Sequence, residues 1–183
     1  MPRAKSGPLE SNIRIQPIID SPYFCSMKIA LAIIGQTDKG YLETGLNTFA
    51  SRIKRYVPFE EVLIPEEKKW KKLDAEERKR HEAKALLSKL DSTDTVILLD
   101  EKGQQFTSEG FAGFLQKKMN AGPKRLVFVV GGAFGFDQSI YDQFPVRLAF
   151  SKMTFSHQMI RLFTAEQIYR AFTILNNEPY HNS

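Results

Sequence analysis

The chain is poor in cysteine and in long apolar runs. Its 183 residues contain one cysteine, Cys25, so neither a disulfide within the chain nor a cysteine-based metal site can form. No stretch approaches the roughly 20 apolar residues of a membrane-spanning helix, and the three histidines lack the spacing of metal ligands. We therefore expect no bound metal and no membrane partner.

The rest of the composition is that of a globular domain. Hydrophobic residues make up 42% and charged residues 26% of the chain, which argues against a disordered chain, a collagen-like rod and a coiled coil. The net charge of +5 permits a nucleic acid or another anionic partner without requiring one.

The first 26 residues differ in pattern from the remainder. They are rich in proline and serine and show no helical or strand period, whereas Met27 opens a buried-strand pattern, MKIALAIIG. We predict an N-terminal extension, residues 1–26, that is disordered or non-native, and one domain, residues 27–183. The extension lacks the apolar core of a secretory signal, and we expect a cytoplasmic protein.

Strands and helices alternate along the domain. The apolar runs predict strands at residues 28–34, 59–64, 95–99, 125–130 and 146–150. Helices are predicted at residues 41–56, from Asp74, from Thr107 or Ser108, at 137–144, and from Ser156 to about 176. Strands that are apolar throughout and alternate with helices predict an α/β fold with a parallel sheet covered on both faces.

Three loops follow the carboxyl ends of these strands, where α/β sheets bind ligands. Gly131, Gly132 and Gly135 let the backbone approach a ligand closely, or they form a tight turn. Their spacing fits neither a dinucleotide fingerprint nor a P-loop. Asp100 and Glu101 provide a ribose partner or a base, or they form a solvated turn.

The third loop and the last helix are unusually apolar. The loop FSKMTF, residues 150–155, wraps an adenine or fills the core where strand meets helix. The last helix is apolar nearly all round, which predicts a subunit interface or an unusual threading of the chain.

The charged segment 68–80 surrounds the single tryptophan, Trp70. Two interpretations of this segment are open. Its lysines and arginines bind phosphates while Trp70 stacks on a base, or the segment is a solvated face of paired charges. No GxSxG motif or Cys/His arrangement indicates nucleophilic catalysis.

Four ordered motifs resemble a known family of enzymes. They are MKIALAIIG, LDEKGQQFTSEGFA, FVVGGAFGF and FSKMTFSHQMIRLFTAEQIYRAFTILNNEPYH. From Met27 to His181 the chain resembles the RlmH family of small SPOUT-class methyltransferases, which methylate pseudouridine at ring nitrogen 3 in large-subunit (23S) ribosomal RNA. The resemblance implies an α/β parallel-sheet fold with a C-terminal trefoil knot, a homodimer, and S-adenosylmethionine as methyl donor.

The family motifs also imply the site residues. The implied donor-binding residues are Leu99, Gly131, Phe150, Ser151, Lys152, Met153, Thr154 and Phe155. His181 is the implied general base, with Tyr180 and Arg170 as helpers, because the family tail lies near the donor site. The family tail usually continues with a basic residue after the histidine, where this chain has Asn182.

RNA recognition is expected to rest on the dimer surface or on an assembled ribosome, because the chain has no appended RNA-binding domain. Two other functions stay open. One is a SPOUT methyltransferase with another RNA target. The other is a ribosome-associated binding module without catalysis.

Overall fold

The computed structural model describes residues 27–180. The predicted extension and the catalytic candidate His181 lie outside the described residues. The strands are β1 (Lys28–Ile34), β2 (Phe59–Ile64), β3 (Thr95–Gln104), β4 (Arg125–Val130) and β5 (Arg147–Leu148). The α-helices are α1 (Tyr41–Ile53), α2 (Ala75–Leu87), α3 (Ser108–Asn120), α4 (Gln138–Gln143) and α5 (His157–Leu175), and a 3₁₀ helix spans Lys68–Lys72.

The five strands form one parallel sheet in the order β2-β1-β4-β3-β5. Successive residues of β1 enter opposite cores: Ile29 and Leu31 pack with residues of α1, α3 and α5, whereas Ala30 and Ala32 pack with residues of α2 and α4. Because neighbouring side chains on a strand point to opposite faces, a sheet covered on both sides needs apolar residues at every position. The predicted α/β class is confirmed.

Side-chain caps start the helices where the sequence predicts them. The Asp74 carboxylate accepts a hydrogen bond from the Glu77 N–H at the start of α2. The Thr107 hydroxyl caps α3 and the Ser156 hydroxyl caps α5, each accepting from a backbone N–H three residues on. These bonds satisfy N–H groups that a helix start leaves without a partner.

Two strands differ in length from the prediction. β3 continues past residue 99 to Gln104, and β5 is two residues long instead of five. The register between them shifts between Leu99 and Gln104, so residues 100–103 bulge out and return to pair beside Leu148. A Cβ on Gly103 would lie 2.6 Å from the Leu148 backbone nitrogen, which makes glycine necessary for this close approach.

Helix α5 lies between α1 and α3 on one face of the sheet. Its apolar side chains are therefore partly explained by packing within one chain, with Ala165, Ile168 and Phe172 fully buried. Ile160, Leu162 and Phe163 keep part of their surface exposed. The subunit interface and the trefoil knot stay predictions.

Candidate functional site

A cleft of about 690 Å³ opens at the carboxyl ends of β3 and β4. The three loops singled out in the sequence all line it: the residues after Leu99, the glycine loop from Gly131 to Gly135, and the loop that begins at Phe150. Its position is where parallel α/β sheets bind ligands, and its volume is within the range of small-molecule sites.

Asp100 stands at the start of the bulge and has partners for both carboxylate oxygens. Oδ1 accepts a hydrogen bond from the Lys102 N–H at 2.7 Å, and Oδ2 accepts one from the Tyr141 hydroxyl at 2.5 Å. Burial, followed by the hydrogen bond to Asp100, raises the pKa of Tyr141 to about 12, so this hydroxyl remains a donor at neutral pH. The structure thus favours the turn interpretation for Asp100 over that of a free base.

The glycine loop combines a tight turn with close packing. The Gly135 N–H donates to the Gly132 carbonyl at 3.2 Å, and Gly135 has a φ of 76°, a conformation that glycine adopts without strain. A Cβ on Gly131 would lie 3.2 Å from the Phe136 ring. The turn is confirmed, and the backbone of Gly131 and Gly132 forms part of the cleft wall.

The loop 150–155 is held at three places. The Ser151 hydroxyl accepts a hydrogen bond from the Met153 N–H at 2.9 Å, which closes a turn. The Thr154 hydroxyl donates to the Glu101 carboxylate at 3.0 Å and so joins two walls of the cleft. The Phe155 ring packs edge-on against Phe163. The loop packs at its ends while Met153 is 72% exposed, and the interpretation that it wraps an adenine stays a prediction.

The structure gathers most of the predicted donor-binding residues around one cleft. Those that line it are Leu99, Gly131, Phe150, Ser151, Met153, Thr154 and Phe155. Lys152 is exposed and does not line the cleft. Their role in binding a methyl donor stays a prediction.

His157 also lines the cleft, a location that the sequence did not indicate. Burial, together with the nearby Arg161 guanidinium, lowers the pKa of His157 below its ordinary value. The imidazole is therefore neutral at neutral pH. The only signal in the sequence is its position one residue after the capping Ser156.

The other two catalytic candidates come together elsewhere on α5. Glu166 Oε1 accepts hydrogen bonds from Arg170 Nη2 at 2.7 Å and Nε at 3.0 Å, and from the Tyr180 hydroxyl at 3.2 Å. The Arg170 guanidinium also lies over the Tyr180 ring. Burial, followed by the Glu166 carboxylate, raises the pKa of Tyr180.

We call Glu166, Arg170 and Tyr180 the α5 cluster. Neither Arg170 nor Tyr180 lines the cleft. Glu166 was missed from the sequence, although its spacing of four residues from Arg170 is that of a helical ion pair.

Trp70 does not offer its ring to a ligand. The side chain is 3% exposed and stacks on His81 of α2, so the prediction that it stacks on a base is wrong. Nearby charges pair with one another, as in the ion pairs Lys69–Glu67 and Lys79–Glu76. The structure favours the solvated-face interpretation for this segment.

Residues 27–180, the part of the chain that the structure describes, contain neither a cluster of metal ligands nor a helix that could span a membrane. In that part of the chain no group of three or more histidine, cysteine or carboxylate side chains is arranged to hold a metal ion. None of its helices combines the length and the apolar character needed to cross a bilayer.

The fold and the cleft define a parallel α/β domain with a glycine loop and an apolar loop at the edge of the sheet where such domains bind small ligands. The family described as predicted SPOUT methyltransferase matches residues 27–181, and the chain belongs to this SPOUT methyltransferase family. The resemblance stated from the motifs is confirmed.

The chain matches curated relatives over nearly the whole of their length. The chain is 50% identical to the ribosomal RNA large subunit methyltransferase H of Christiangramia forsetii over 156 residues. This match covers 85% of this chain and 99% of that protein. The protein of the same name from Parabacteroides distasonis is 51% identical over the same shares. A solved structure, a probable methylase family protein from Haemophilus influenzae, has a TM-score of 0.48 and 16% identity over 86% of this chain and 71% of that one, which is too low for comparing sites.

Proposed function

We propose that this protein transfers a methyl group from S-adenosylmethionine to ring nitrogen 3 of a pseudouridine in large-subunit ribosomal RNA. The observation that carries the proposal is the convergence of three loops on one cleft, in a chain of the SPOUT methyltransferase family. Relatives about 50% identical bear the name of a large-subunit ribosomal RNA methyltransferase, which supports this substrate class.

The cleft residues fit such a donor chemically. Gly131 and Gly132 line the cleft, and the backbone groups of such glycines can approach a flat base closely. Leu99, Phe150 and Phe155 provide apolar surface for an adenine. The exposed Glu101 is a carboxylate that can accept hydrogen bonds from ribose hydroxyls.

Binding and alignment are the main contributions of the protein. A bound S-adenosylmethionine supplies an activated methyl group on a sulfonium. The protein holds the ring nitrogen in line with it, since well-oriented groups 3–3.5 Å apart react far faster than free ones. The ring N–H proton must leave, and His181 is our candidate to accept it. Arg170 supplies positive charge that stabilises the resulting anion. Tyr180 supplies a hydroxyl group that stays protonated, because its pKa is raised.

The separation of the cleft from the α5 cluster within one chain supports a homodimer. Ile160 lines the cleft, and Arg170 follows ten residues later on the same rigid helix, about 15 Å away at 1.5 Å per residue. Arg170 therefore lies almost three helical turns from the part of α5 that lines the cleft. A second copy brings its α5 cluster to this cleft. The RNA is bound as part of an assembled ribosome in the cytoplasm.

Calorimetry with S-adenosylmethionine tests the donor site. We expect one donor per cleft, and Gly131→Val is expected to abolish binding by filling the adenosine site. His181→Ala is expected to lower turnover far more than donor affinity. Absence of binding to the wild type would defeat any methyltransferase function and leave the non-catalytic module.

Mass spectrometry of ribosomal RNA tests the target. Deleting the gene is expected to remove the methyl group from one pseudouridine. Persistence of that methylated pseudouridine, with another modification lost instead, would establish a different RNA target.

Mixing two inactive variants tests the shared site. Gly131→Val and Arg170→Ala dimers, unfolded and refolded together, are expected to regain about a quarter of wild-type activity, because half of the dimers are mixed and each mixed dimer has one intact site. No recovery, with mixed dimers present by native mass spectrometry, would contradict a site shared between subunits.

A further inference from the structure

A buried carboxylate lies directly against the glycine loop. Glu82 of α2 is 2% exposed. A Cβ on Gly132 would lie 2.3 Å from Glu82 Oε2 and 2.8 Å from both Cδ and Oε1. The Glu82 carboxylate thus occupies the space that a side chain at position 132 would need. Glycine at this position therefore admits the buried carboxylate.

Arg78, one turn earlier on α2, fixes this carboxylate. Its Nε donates to Glu82 Oε1 at 2.8 Å, and its Nη2 donates to Glu66 Oε1 at 2.6 Å. The Arg78 guanidinium also lies 5.4 Å from the ring centroid of Phe134, which lines the cleft. Hydrogen bonds between charged groups are the strong ones. The Glu82 carboxylate therefore packs against the loop at Gly132, and the Arg78 guanidinium lies against it at Phe134.

The second oxygen of Glu82 has no hydrogen-bond partner within the part of the chain that the structure describes. A buried, unpartnered acceptor of this kind is costly for stability. Burial also raises the pKa of Glu82, against the opposing effect of Arg78. A fold that needed only stability would be better served by an apolar side chain here. The unpartnered oxygen of this carboxylate is the one nearest to a side chain built at Gly132.

We propose that Glu82, fixed by Arg78, is a positioning residue that holds the glycine loop in the shape that binds the methyl donor. The inference rests on the proposed function, because it concerns the same cleft. Neither residue lines the cleft, so both act through the loop. Sites are held to within a fraction of an ångström by such supporting contacts.

Donor affinity of Glu82→Gln tests this role. The amide keeps the size of the side chain but removes the charge that binds Arg78. We expect the dissociation constant of S-adenosylmethionine, measured by calorimetry, to rise about tenfold with unchanged stoichiometry. Glu77→Gln is the matched control, because it removes an exposed charge from the same helix. A merely structural role would lower the melting temperature and the stoichiometry but leave this constant unchanged.

Phe134→Ala provides a second variant that is safe for folding, because the ring is 51% exposed. It removes the contact with Arg78 together with a ring that lines the cleft, so we expect a severalfold weaker donor affinity. Arg78→Gln loosens the Glu82 carboxylate without changing a cleft residue, and we expect a severalfold weaker donor affinity here too. In ¹⁵N-glycine spectra without ligand, Glu82→Gln is expected to shift the amide signals of Gly131, Gly132 and Gly135. Gly40 and Gly122, whose Cβ positions are open, serve as internal controls.

The outcomes separate this inference from the proposed function. No donor binding by the wild type would defeat the donor cleft, and this inference with it. Normal wild-type binding, with Glu82→Gln and Arg78→Gln both within twofold of Glu77→Gln, would overturn the positioning role and leave the donor cleft standing. If Glu82→Gln does not fold, Arg78→Gln decides by the same comparison, because Arg78 does not line the cleft.

Discussion

Replacing Arg161 by alanine is expected to destabilise the fold strongly. This arginine of α5 is 1% exposed, and its guanidinium donates to the carbonyls of Ile34 at 2.6 Å and Gly35 at 3.1 Å, and to the Thr37 hydroxyl at 3.1 Å. These acceptors lie at and just after the end of β1, so a single side chain ties the last helix to this strand.

The magnitude follows from the groups that lose a partner. A buried acceptor left without its donor costs about 1–3 kcal/mol, and two carbonyls are affected here. Loss of the buried apolar stem adds about 1–2 kcal/mol. Relief from burying a guanidinium, whose pKa is lowered mainly by burial, offsets part of this sum. We expect Arg161→Ala to lower the free energy of unfolding by about 3–4 kcal/mol.

Urea unfolding followed by circular dichroism measures this loss. All variants are compared at one protein concentration, because dimer dissociation couples to unfolding. Arg161→Met keeps the stem and is expected to lose about 1–2 kcal/mol less than alanine. Arg80→Ala, on the exposed face of α2, is the control and is expected to change stability by no more than about 0.5 kcal/mol. A loss below about 1 kcal/mol for Arg161→Ala would refute the assigned role of the guanidinium.

Three further predictions concern backbone packing, pH and capping. Gly103→Ala is expected to cost about 2–3 kcal/mol, because its Cβ would lie 2.6 Å from the Leu148 backbone; thermal unfolding measures this. His157 has a folded-state pKa below its ordinary 6.5, so the unfolded chain binds its proton more readily and stability falls as pH drops through 6.5. His157→Gln is expected to flatten this slope between pH 7 and 5. Asp74→Ala is expected to cost about 1 kcal/mol in urea unfolding by removing the cap of α2, while Asp74→Asn keeps most of that stability.

Each of these has an outcome that contradicts it. A Gly103→Ala protein with wild-type melting temperature would show that β3 and β5 can separate at no cost. Parallel pH profiles of the wild type and His157→Gln would mean that burial does not disfavour the charged imidazole. Equal losses for the alanine and asparagine variants of Asp74 would show that the capping acceptor contributes nothing.

Local pattern was enough to predict most elements. The strands of the sheet interior are apolar at every position, and the caps Asp74, Thr107 and Ser156 stand next to helical patterns, so both signals are contained in a few neighbouring residues. The continuation of β3 is different. Residues 100–104 read as a polar turn. Gln104 pairs with Leu148 only because Gly103 fits closely against that backbone, more than 40 residues further along the chain.

The sequence predicted the position of the cleft but not the buried charged residues that lie behind it. The rule that ligands bind at the carboxyl ends of parallel strands selected the three loops before any contact was known, whereas the donor and the RNA target came from the resemblance. Glu82 and Arg161 read as surface charges on helices. Their burial depends on Gly132 and on the end of β1, and such distant partners leave no local pattern.

The buried Trp70 has a practical consequence. It is the only tryptophan of the chain and is packed against α2 by a segment whose lysines face solvent. Intrinsic tryptophan emission therefore reports on one place in the molecule, the docking of this segment on the helix that carries Arg78 and Glu82. A shift of that emission when RNA is added would show that the contact reaches the helix beneath the glycine loop, without any label attached to the protein.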